Sequence, residues 1–298
     1  MTATYGGSGV NAISATTKYA TRPRGEFHLA GGSPSPPGRG STVGIMAPSA
    51  AGRPRLTLPH LDPLALELTA AVHGGDLAAV RRLLGDKPGL AAARMIGRHG
   101  PGGGWRTPLH ALTDWPGYFP AGPATAALLL EAGADPDDDT GGERPETPLH
   151  WAASTDDVDV AAVLIGAGAR LDRPGGSIGT PLDNAVGYGC WHVARLLVAS
   201  GAPVESLWQA AALGMLDRLD ELLAAGLATQ EDLDHGFWQA CHGGQRRAAE
   251  RLLSAGADIG TRPAYSADKT ALDIAVAPDT RRDLLAAWLR ERGAPTGP

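Results

Sequence analysis

Apolar and polar positions recur along this chain with the spacing of an amphipathic helix, from about residue 60 onward. In the segment HVARLLVASG, for example, Val193, Leu196 and Leu197 fall on one helical face. Such segments end in glycine and lead into turn-rich links such as GADPD or GADIG. The pattern predicts short pairs of antiparallel helices joined in series. No run reaches the roughly 18 apolar residues of a transmembrane helix, so we expect no membrane span.

A capping motif marks where the first helix of a pair begins. Thr-Pro-Leu-His starts at Thr107 and at Thr147, and Thr-Pro-Leu-Asp starts at Thr180. Threonine is a favoured N-cap, and proline is tolerated at the first helical position, where its missing N–H costs nothing. A His or Asp three residues after the cap can reach back towards it, much as Glu does in a capping box. We therefore assign structural capping to four pairs: Thr107 with His110, Thr147 with His150, Thr180 with Asp183, and Thr270 with Asp273. A histidine that is exchanged for aspartate along the series is expected to be structural rather than catalytic.

Two glycines define the length of each unit. The first often falls nine residues after the threonine and the second twelve residues later, as Gly189 and Gly201 do. We expect the first to end a short helix and the second a longer one. The units then start near Leu66, Thr107, Thr147, Thr180, Glu205, His235 and Thr270. The first unit is expected to have a poor cap. At Glu205 and His235 the capping signature is lost, and Trp208 and Trp238, which take the histidine position, are expected to pack in the core.

These features resemble the ankyrin repeat family, whose unit of about 33 residues carries a Thr-Pro-Leu-His-x-Ala signature. The resemblance covers roughly residues 60–295 and is strongest at Thr107, Thr147 and Thr180. It implies an all-α, ankyrin-type solenoid of about seven stacked helix-turn-helix units with protruding hairpins. It also implies that another protein binds the concave face, which the first helices and the hairpins form.

The first 55 residues differ from the rest of the chain in composition. Gly, Ser and Pro make up 22 of them, and six Lys or Arg accompany a single acid, Glu26. Such a segment cannot bury enough apolar surface to offset its ordering entropy, so we expect a disordered basic leader at 1–55 and a repeat domain at 56–298. The leader could contact anionic partners, serve only as a solvated extension, or result from a start site placed upstream of Met46.

Charge and cysteine content narrow the function classes. The net charge of −6 argues against a nucleic-acid binder that works by bulk electrostatics. The two cysteines, Cys190 and Cys241, form no Cys-x-x-Cys motif and are too few for a disulfide framework, which fits a reducing, cytoplasmic compartment. No metal-ligand spacing or phosphate loop is present in the sequence. We therefore expect no metal ion, no cofactor, no membrane partner and a monomer.

Candidate binding residues lie at the end of each first helix, mostly in the two positions before the first glycine. The family resemblance places these positions on the concave face. The candidates there are His73, Asp114, Trp115, Ser154, Thr155, Tyr188, Leu213 and His242. Aromatic residues on an accessible surface suggest a binding patch, although neighbouring loops could cover them instead.

The second unit alone contains the insertion DWPGYFPAG at 114–122. In this unit the second glycine, Gly133, lies 26 positions after Thr107, whereas in other units it lies 21 positions after the first residue. The insertion adds Tyr118 and Phe119 to the binding candidates, in a loop stiffened by two prolines. This loop is either a recognition element at the edge of the groove or a lid packed over the first unit.

Three functions remain open at this point. The leading hypothesis is a non-enzymatic scaffold that binds another protein through its groove. The first alternative is a small-ligand receptor that uses the 114–122 loop as a lid. The second is an enzyme with a groove site assembled from Asp114, His192, Cys241 or His242. The enzyme is disfavoured because solenoids rarely build the enclosed, dry pocket that catalysis needs.

Overall fold

The computed structural model of the protein describes residues 55–97, 104–142, 144–277 and 282–297. From Arg55 onward the described chain forms one unit. The predicted leader lies outside the described residues except for Arg55. The boundary between leader and repeat domain therefore stays a prediction.

Seven consecutive pairs of α-helices make up most of the described chain. The pairs are α1 (Pro63–Gly74) with α2 (Leu77–Asp86), α3 (Pro108–Thr113) with α4 (Gly122–Glu131), α5 (Pro148–Thr155) with α6 (Val158–Gly166), α7 (Pro181–Gly187) with α8 (Trp191–Ala199), α9 (Leu207–Leu213) with α10 (Leu216–Ala224), α11 (Gln230–His242) with α12 (Arg246–Ser254), and α13 (Ala271–Val276) with α14 (Asp283–Glu291). Short 3-10 helices lie at Leu90–Ala92 and Ala264–Ser266.

Helices of neighbouring pairs stack in two layers. The first helices pack in the order α1, α3, α5, α7, α9, α11 and α13, while α2, α4, α6 and α8 pack in series in the second layer. Alanine lets the first helices approach one another closely, because it adds little volume between them. The fully buried alanines at one shared position are Ala152, Ala185, Ala210 and Ala240. The structure confirms the predicted all-α solenoid of about seven helix-turn-helix units.

Left-handed residues end the helices where the glycine spacing predicts. At Gly189 φ is 73°, and the next N–H, of Cys190, donates to the carbonyl oxygen of Ala185 at 2.7 Å. Gly201 ends α8 in the same way, with φ 96°. In the third unit Asp156 takes this conformation, with φ 57°. Asp and Asn are the side chains that best tolerate it, because they can hydrogen-bond locally.

The first hairpin forms a small sheet with the segment that precedes α1. Its strands are β1 (Thr57–Pro59), β2 (Arg94–Ile96) and β3 (Trp105–Arg106). Strand β1 pairs parallel to β2, with Leu58 opposite Met95, and β2 pairs antiparallel to β3. The segment before the first repeat is thus fixed to the stack by backbone hydrogen bonds, although its sequence did not predict a strand.

The expectation that three units lack good caps is wrong. In the first unit the Asp62 side chain accepts a hydrogen bond from the Leu64 N–H at 2.9 Å. Helix α9 is capped by Ser206, whose backbone N–H donates to the side-chain oxygen of Gln209 at 3.0 Å. The capping box of α9 thus begins at Ser206, one residue after Glu205, the start that the glycine spacing indicates. Helix α11 begins five residues before His235, where Thr229 and Asp232 form its capping box.

Buried apolar side chains form two clusters that meet at α9. The N-terminal cluster runs from Leu58 to Ala202 and includes Ala212, and the C-terminal cluster runs from Leu207 to Leu289. Helix α10 buries only Leu219. The second layer therefore offers little apolar surface to join the clusters at this point.

Candidate binding surface

Two histidines of the capping motif belong to the helix framework. Nδ1 of His110 accepts a hydrogen bond from the Thr107 backbone N–H at 3.2 Å, and its Nε2 lies 3.0 Å from the carbonyl oxygen of Glu146. His150 is held in the same way, with its Nδ1 accepting from the Thr147 N–H at 3.1 Å. Because Nδ1 accepts, the neutral ring carries its proton on Nε2 and donates it to a carbonyl. Burial lowers the pKa of His110 to about 4 and also lowers the pKa of His150.

Aspartate makes the equivalent contacts in two other units. The Asp183 carboxylate accepts from the Thr180 N–H at 2.7 Å, and the Asp273 carboxylate accepts from the Thr270 N–H at 2.8 Å. Both threonine hydroxyls donate to the same carboxylates. His and Asp therefore fill one position with one set of contacts, and the geometry gives that position a role in helix capping.

The aromatic loop, residues 114–122, is anchored on the unit before it. Phe119 stacks on His73, with ring centroids 4.2 Å apart and planes 6° from parallel. The His73 Nε2 lies 2.9 Å from a backbone carbonyl of α3, which fixes the ring. Gly75 permits the close approach, because a Cβ there would lie 2.3 Å from the carbonyl oxygen of Pro120. Phe119 and His73 therefore pack against each other, as a lid over the first unit would require.

The same loop is anchored on the unit after it. The Tyr118 N–H donates to the Asp157 carboxylate at 2.8 Å, and the Tyr118 hydroxyl donates to the carbonyl oxygen of Asp156. Asp157 also accepts from the Val160 N–H at 3.2 Å, at the start of α6. Burial raises the pKa of Asp157, and these two hydrogen bonds oppose that rise. The loop thus ties the second unit to both of its neighbours.

Two aromatic side chains of the loop remain on the surface. Trp115 is 62% exposed and Tyr118 is 41% exposed. Beside them, Asp114 forms an ion pair with Arg106 at 3.0 Å. The other binding candidates along the helix ends are less open, and the half-buried ones are His73, Ser154, Tyr188, Leu213 and His242.

Thr155 was expected on the binding surface, and the structure corrects this. Its side chain is 5% exposed, and its hydroxyl donates to the Trp151 carbonyl oxygen at 3.1 Å. The aromatic loop covers it, because a Cβ added to Gly117 would lie 2.8 Å from the Thr155 Cβ. Ser154 is also engaged, since its hydroxyl donates to the His150 carbonyl oxygen at 2.9 Å.

The link between α6 and α7 folds back over the first helices. Its Ser177 N–H donates to the Glu146 carboxylate at 2.7 Å, and its Ile178 N–H donates to the Asn184 side-chain oxygen at 3.1 Å. The Tyr188 hydroxyl lies 3.2 Å from the Ser177 hydroxyl. Tyr188 is therefore partly covered by a neighbouring loop, the alternative that the sequence left open.

Sequence reasoning missed a row of buried amide side chains along the first helices. Asn184 donates to a glutamate carboxylate of the preceding unit at 3.1 Å, and Gln209 donates to the Asp183 carboxylate at 2.7 Å. Gln239 donates to the Tyr265 hydroxyl at 3.0 Å. These bonds cross from one unit to the next. The sequence signal for this row is an amide residue directly before the alanine that recurs in each unit, as in Asp-Asn-Ala at 183–185 and Trp-Gln-Ala at 208–210.

Six rings form a continuous cluster between the fourth unit and the link before the seventh. This C-terminal aromatic cluster consists of Trp191, Trp208, His235, Trp238, His242 and Tyr265. Trp238 is buried, and its Nε1 donates to the Lys269 carbonyl oxygen at 3.2 Å. Trp208 is half-buried and stacks on His235 at 5.4 Å. Trp238 is thus buried between units, as core packing requires, whereas Trp208 is only half-buried at one end of this row of rings.

The four residues considered for an enzyme site are each held in the framework. Asp114 is paired with an arginine, as described above, and His192 lies 2.6 Å from the Asp156 carboxylate. Burial raises the pKa of the Cys241 thiol. Burial, followed by the charges of Arg282 and Lys269, lowers the pKa of His242 to about 4.

Comparison with known proteins identifies the repeat. Residues 146–175 match the family model for the ankyrin repeat. The chain therefore contains a recognisable ankyrin repeat at these residues. The matched segment contains the third helix pair, and the same capping box recurs at α3, α7 and α13. The ankyrin fold generally mediates interactions between proteins.

Comparisons with solved structures and with curated proteins give only a distant similarity. The chain is similar to the human ASB11 ankyrin repeat domain, with 21% identity and a TM-score of 0.44 over 74% of this chain and 96% of that chain. No curated protein matches the chain. Across the described ranges, no helix is long and apolar enough to cross a membrane, and no group of three or more acidic, His or Cys side chains could hold a metal ion.

Proposed function

We propose that this protein is a non-enzymatic scaffold that binds another protein along the concave face of its ankyrin stack. The observation that supports this most directly is the exposure of large aromatic side chains on an otherwise well-packed framework. Trp115, Tyr118 and Tyr265 are 62%, 41% and 55% exposed. Such side chains bury much apolar area at low entropic cost, and they dominate the binding energy of many protein interfaces.

The framework around these side chains supports a binding role over a catalytic one. The aromatic loop is fixed on both sides, by Phe119 on His73 and by Tyr118 on Asp157. A surface that is rigid before binding loses less conformational entropy when a partner docks. The loop's anchoring gives no support to a lid that opens for a small ligand.

Compartment and oligomeric state are part of the same proposal. The two free cysteines, Cys190 and Cys241, are buried. They fit a protein that works in the reducing cytoplasm, where structural disulfides are rare. We propose a monomer there, with neither a cofactor nor a metal ion.

Differential capture by the full-length chain tests the proposal. Partners would be captured from a lysate and quantified by mass spectrometry for the wild type, for Trp115→Ala and for Leu284→Ala. The control residue Leu284 is 84% exposed on α14, the second helix of its pair. We expect a defined set of proteins to be lost with Trp115→Ala and kept with Leu284→Ala. Equal capture by all three proteins would contradict use of this face.

A further inference from the structure

The C-terminal aromatic cluster presents the ring of Tyr265 to solvent while its hydroxyl is turned inward. The Gln239 side-chain amide donates to that hydroxyl at 3.0 Å, and Nε2 of His235 lies 3.0 Å from the same oxygen. Burial at this end raises the pKa of Tyr265 to about 12. Since the polar end is bound internally, the exposed part of the side chain is mainly the aromatic ring.

Two further rings extend this surface from α9 to α11. Trp208 stacks on His235 with planes 23° apart, and His235 meets Tyr265 edge-on, with centroids 5.7 Å apart and planes at 71°. The stacked pair and Tyr265 therefore face in different directions. Aromatic faces have negative electrostatic potential, which attracts cations.

Helix α11 adds negative charge beside these rings. Between Gln230 and His242 it contains three carboxylates, Glu231, Asp232 and Asp234, and neither Lys nor Arg. Glu231 lies four residues before His235 on α11, so the two side chains share one face of the helix. Burial lowers the pKa of His235, and the charges of Glu231 and Asp232 oppose that shift. Glu231 is exposed and has no ion-pair partner within the described ranges.

The basic residues nearest to Tyr265 in sequence are Arg262 and Lys269, and their charges act on groups outside the docking surface. The charge of Arg262 acts on Asp273, and the charge of Lys269 acts on His242. The aromatic surface therefore combines the exposed ring of Tyr265 and the half-buried ring of Trp208 with the exposed carboxylate of Glu231.

We propose that Trp208, Tyr265 and Glu231 form a docking site for an arginine-bearing segment of a partner protein. The guanidinium group is planar and weakly hydrated, so it can stack on an aromatic face and donate to a carboxylate at the same time. The site deepens the proposed scaffold function, on which it rests, by stating the chemistry of the partner. An acidic or purely apolar segment would gain neither the stacking nor the ion pair.

Matched peptides test this site on the full-length chain. The probe is a labelled Gly/Ser peptide with two arginines, compared with the same peptide in which citrulline replaces arginine. Citrulline keeps the planar shape and removes the charge. By fluorescence anisotropy at low salt, we expect the arginine peptide to bind at least tenfold more tightly than the citrulline peptide. We also expect its affinity to fall as salt is raised.

Variants assign the binding to these residues. Tyr265→Ala should weaken the arginine peptide at least tenfold and Glu231→Gln several-fold, whereas Tyr265→Phe, which keeps the ring, should stay within about threefold of the wild type. The controls are Leu284→Ala, at an exposed apolar side chain on α14, and Glu131→Gln, at an exposed acid on α4. Both controls should bind as the wild type does.

Three results would overturn the docking site. They are no measurable binding of the arginine peptide, equal binding of the citrulline peptide, and unchanged binding by Tyr265→Ala. Failure of the scaffold proposal has a different signature, because captured proteins would then be insensitive to Trp115→Ala as well. If the peptide fails while Trp115→Ala still loses captured proteins, only the arginine specificity is wrong.

Discussion

Buried histidines at the capping position connect the stability of single units to pH. In the unfolded chain an imidazole titrates near 6.5, whereas in the folded protein His110 titrates at about 4. Between these values the unfolded chain binds a proton that the folded chain does not. Stability is therefore fully present above pH 6.5 and is lost as the pH falls towards 4. For this one residue the difference corresponds to about 3 kcal/mol.

The substitution His110→Gln tests that connection. Glutamine can accept the same backbone hydrogen bond, as Gln209 does in α9, but it does not titrate. We expect a loss of about 1 kcal/mol at pH 7.5 and a shallower loss of stability between pH 6.5 and 4.5. The measurement is urea denaturation at several pH values, with His60→Gln, which removes an imidazole outside the capping positions, as the control. An unchanged pH dependence in His110→Gln would show that this histidine does not contribute to it.

Asp156 combines a left-handed backbone with a cap for the next unit. Its carboxylate accepts from the N–H groups of His192 and Val193, both at 3.0 Å. Asp156→Gly removes only the cap, so we expect a loss of about 1 kcal/mol. Asp156→Ala removes the cap and also strains the backbone, so the loss should reach about 2–3 kcal/mol. Equal free energies of unfolding for the two variants, from urea denaturation, would mean that the left-handed conformation is not strained.

Much of this residue-level structure could be predicted from the sequence, because caps depend on local spacing. The pair of Thr147 and His150 is recognisable from four consecutive letters. The box of Ser206 with Gln209 was missed because the unit is one residue shorter than its neighbours, so counting from the glycine gave Glu205 as the start. Contacts between units, such as Tyr118 with Asp157, depend on how helices stack and leave no local signal.

At the level of one element, the aromatic loop divides its side chains between two roles. Phe119 packs on His73, whereas Trp115 is largely exposed. We expect Phe119→Ala to cost about 2–3 kcal/mol of stability, because a half-buried ring leaves a gap. We expect Trp115→Ala to cost less than about 1 kcal/mol and to weaken partner binding by about 2 kcal/mol, the size of an interface hot spot.

Both quantities are to be measured on the same two variants, stability by thermal unfolding and affinity with a captured partner. A large loss of stability with unchanged affinity in Trp115→Ala would remove the binding role of this side chain. The sequence predicted that the loop is special, because only one unit contains it. The sequence could not predict which of Trp115 and Phe119 packs against the first unit and which is exposed. Both side chains are large and aromatic, and they differ only in what lies beside them.

For the whole molecule, the repeat spacing predicted the number and type of units, because each unit repeats one local pattern. It did not predict that the core divides at α9. That division follows from α10, which buries only Leu219 and so contributes little to the second layer. In a stack where each unit contacts mainly its neighbours, stability is approximately a sum of unit and interface contributions. A weak junction therefore allows the two parts to unfold at different free energies.

Two core substitutions of equal kind test this separation. Leu164 in α6 belongs to the N-terminal cluster and Leu252 in α12 to the C-terminal cluster, and both are fully buried. Each change to alanine should cost about 2–5 kcal/mol by leaving a cavity. By hydrogen exchange with mass spectrometry, Leu252→Ala should speed exchange in peptides from α11 to α14 and leave α3 to α6 protected, and Leu164→Ala should do the reverse. If either variant sped exchange equally in both clusters, the stack would unfold as one cooperative unit and the junction at α9 would have no thermodynamic consequence.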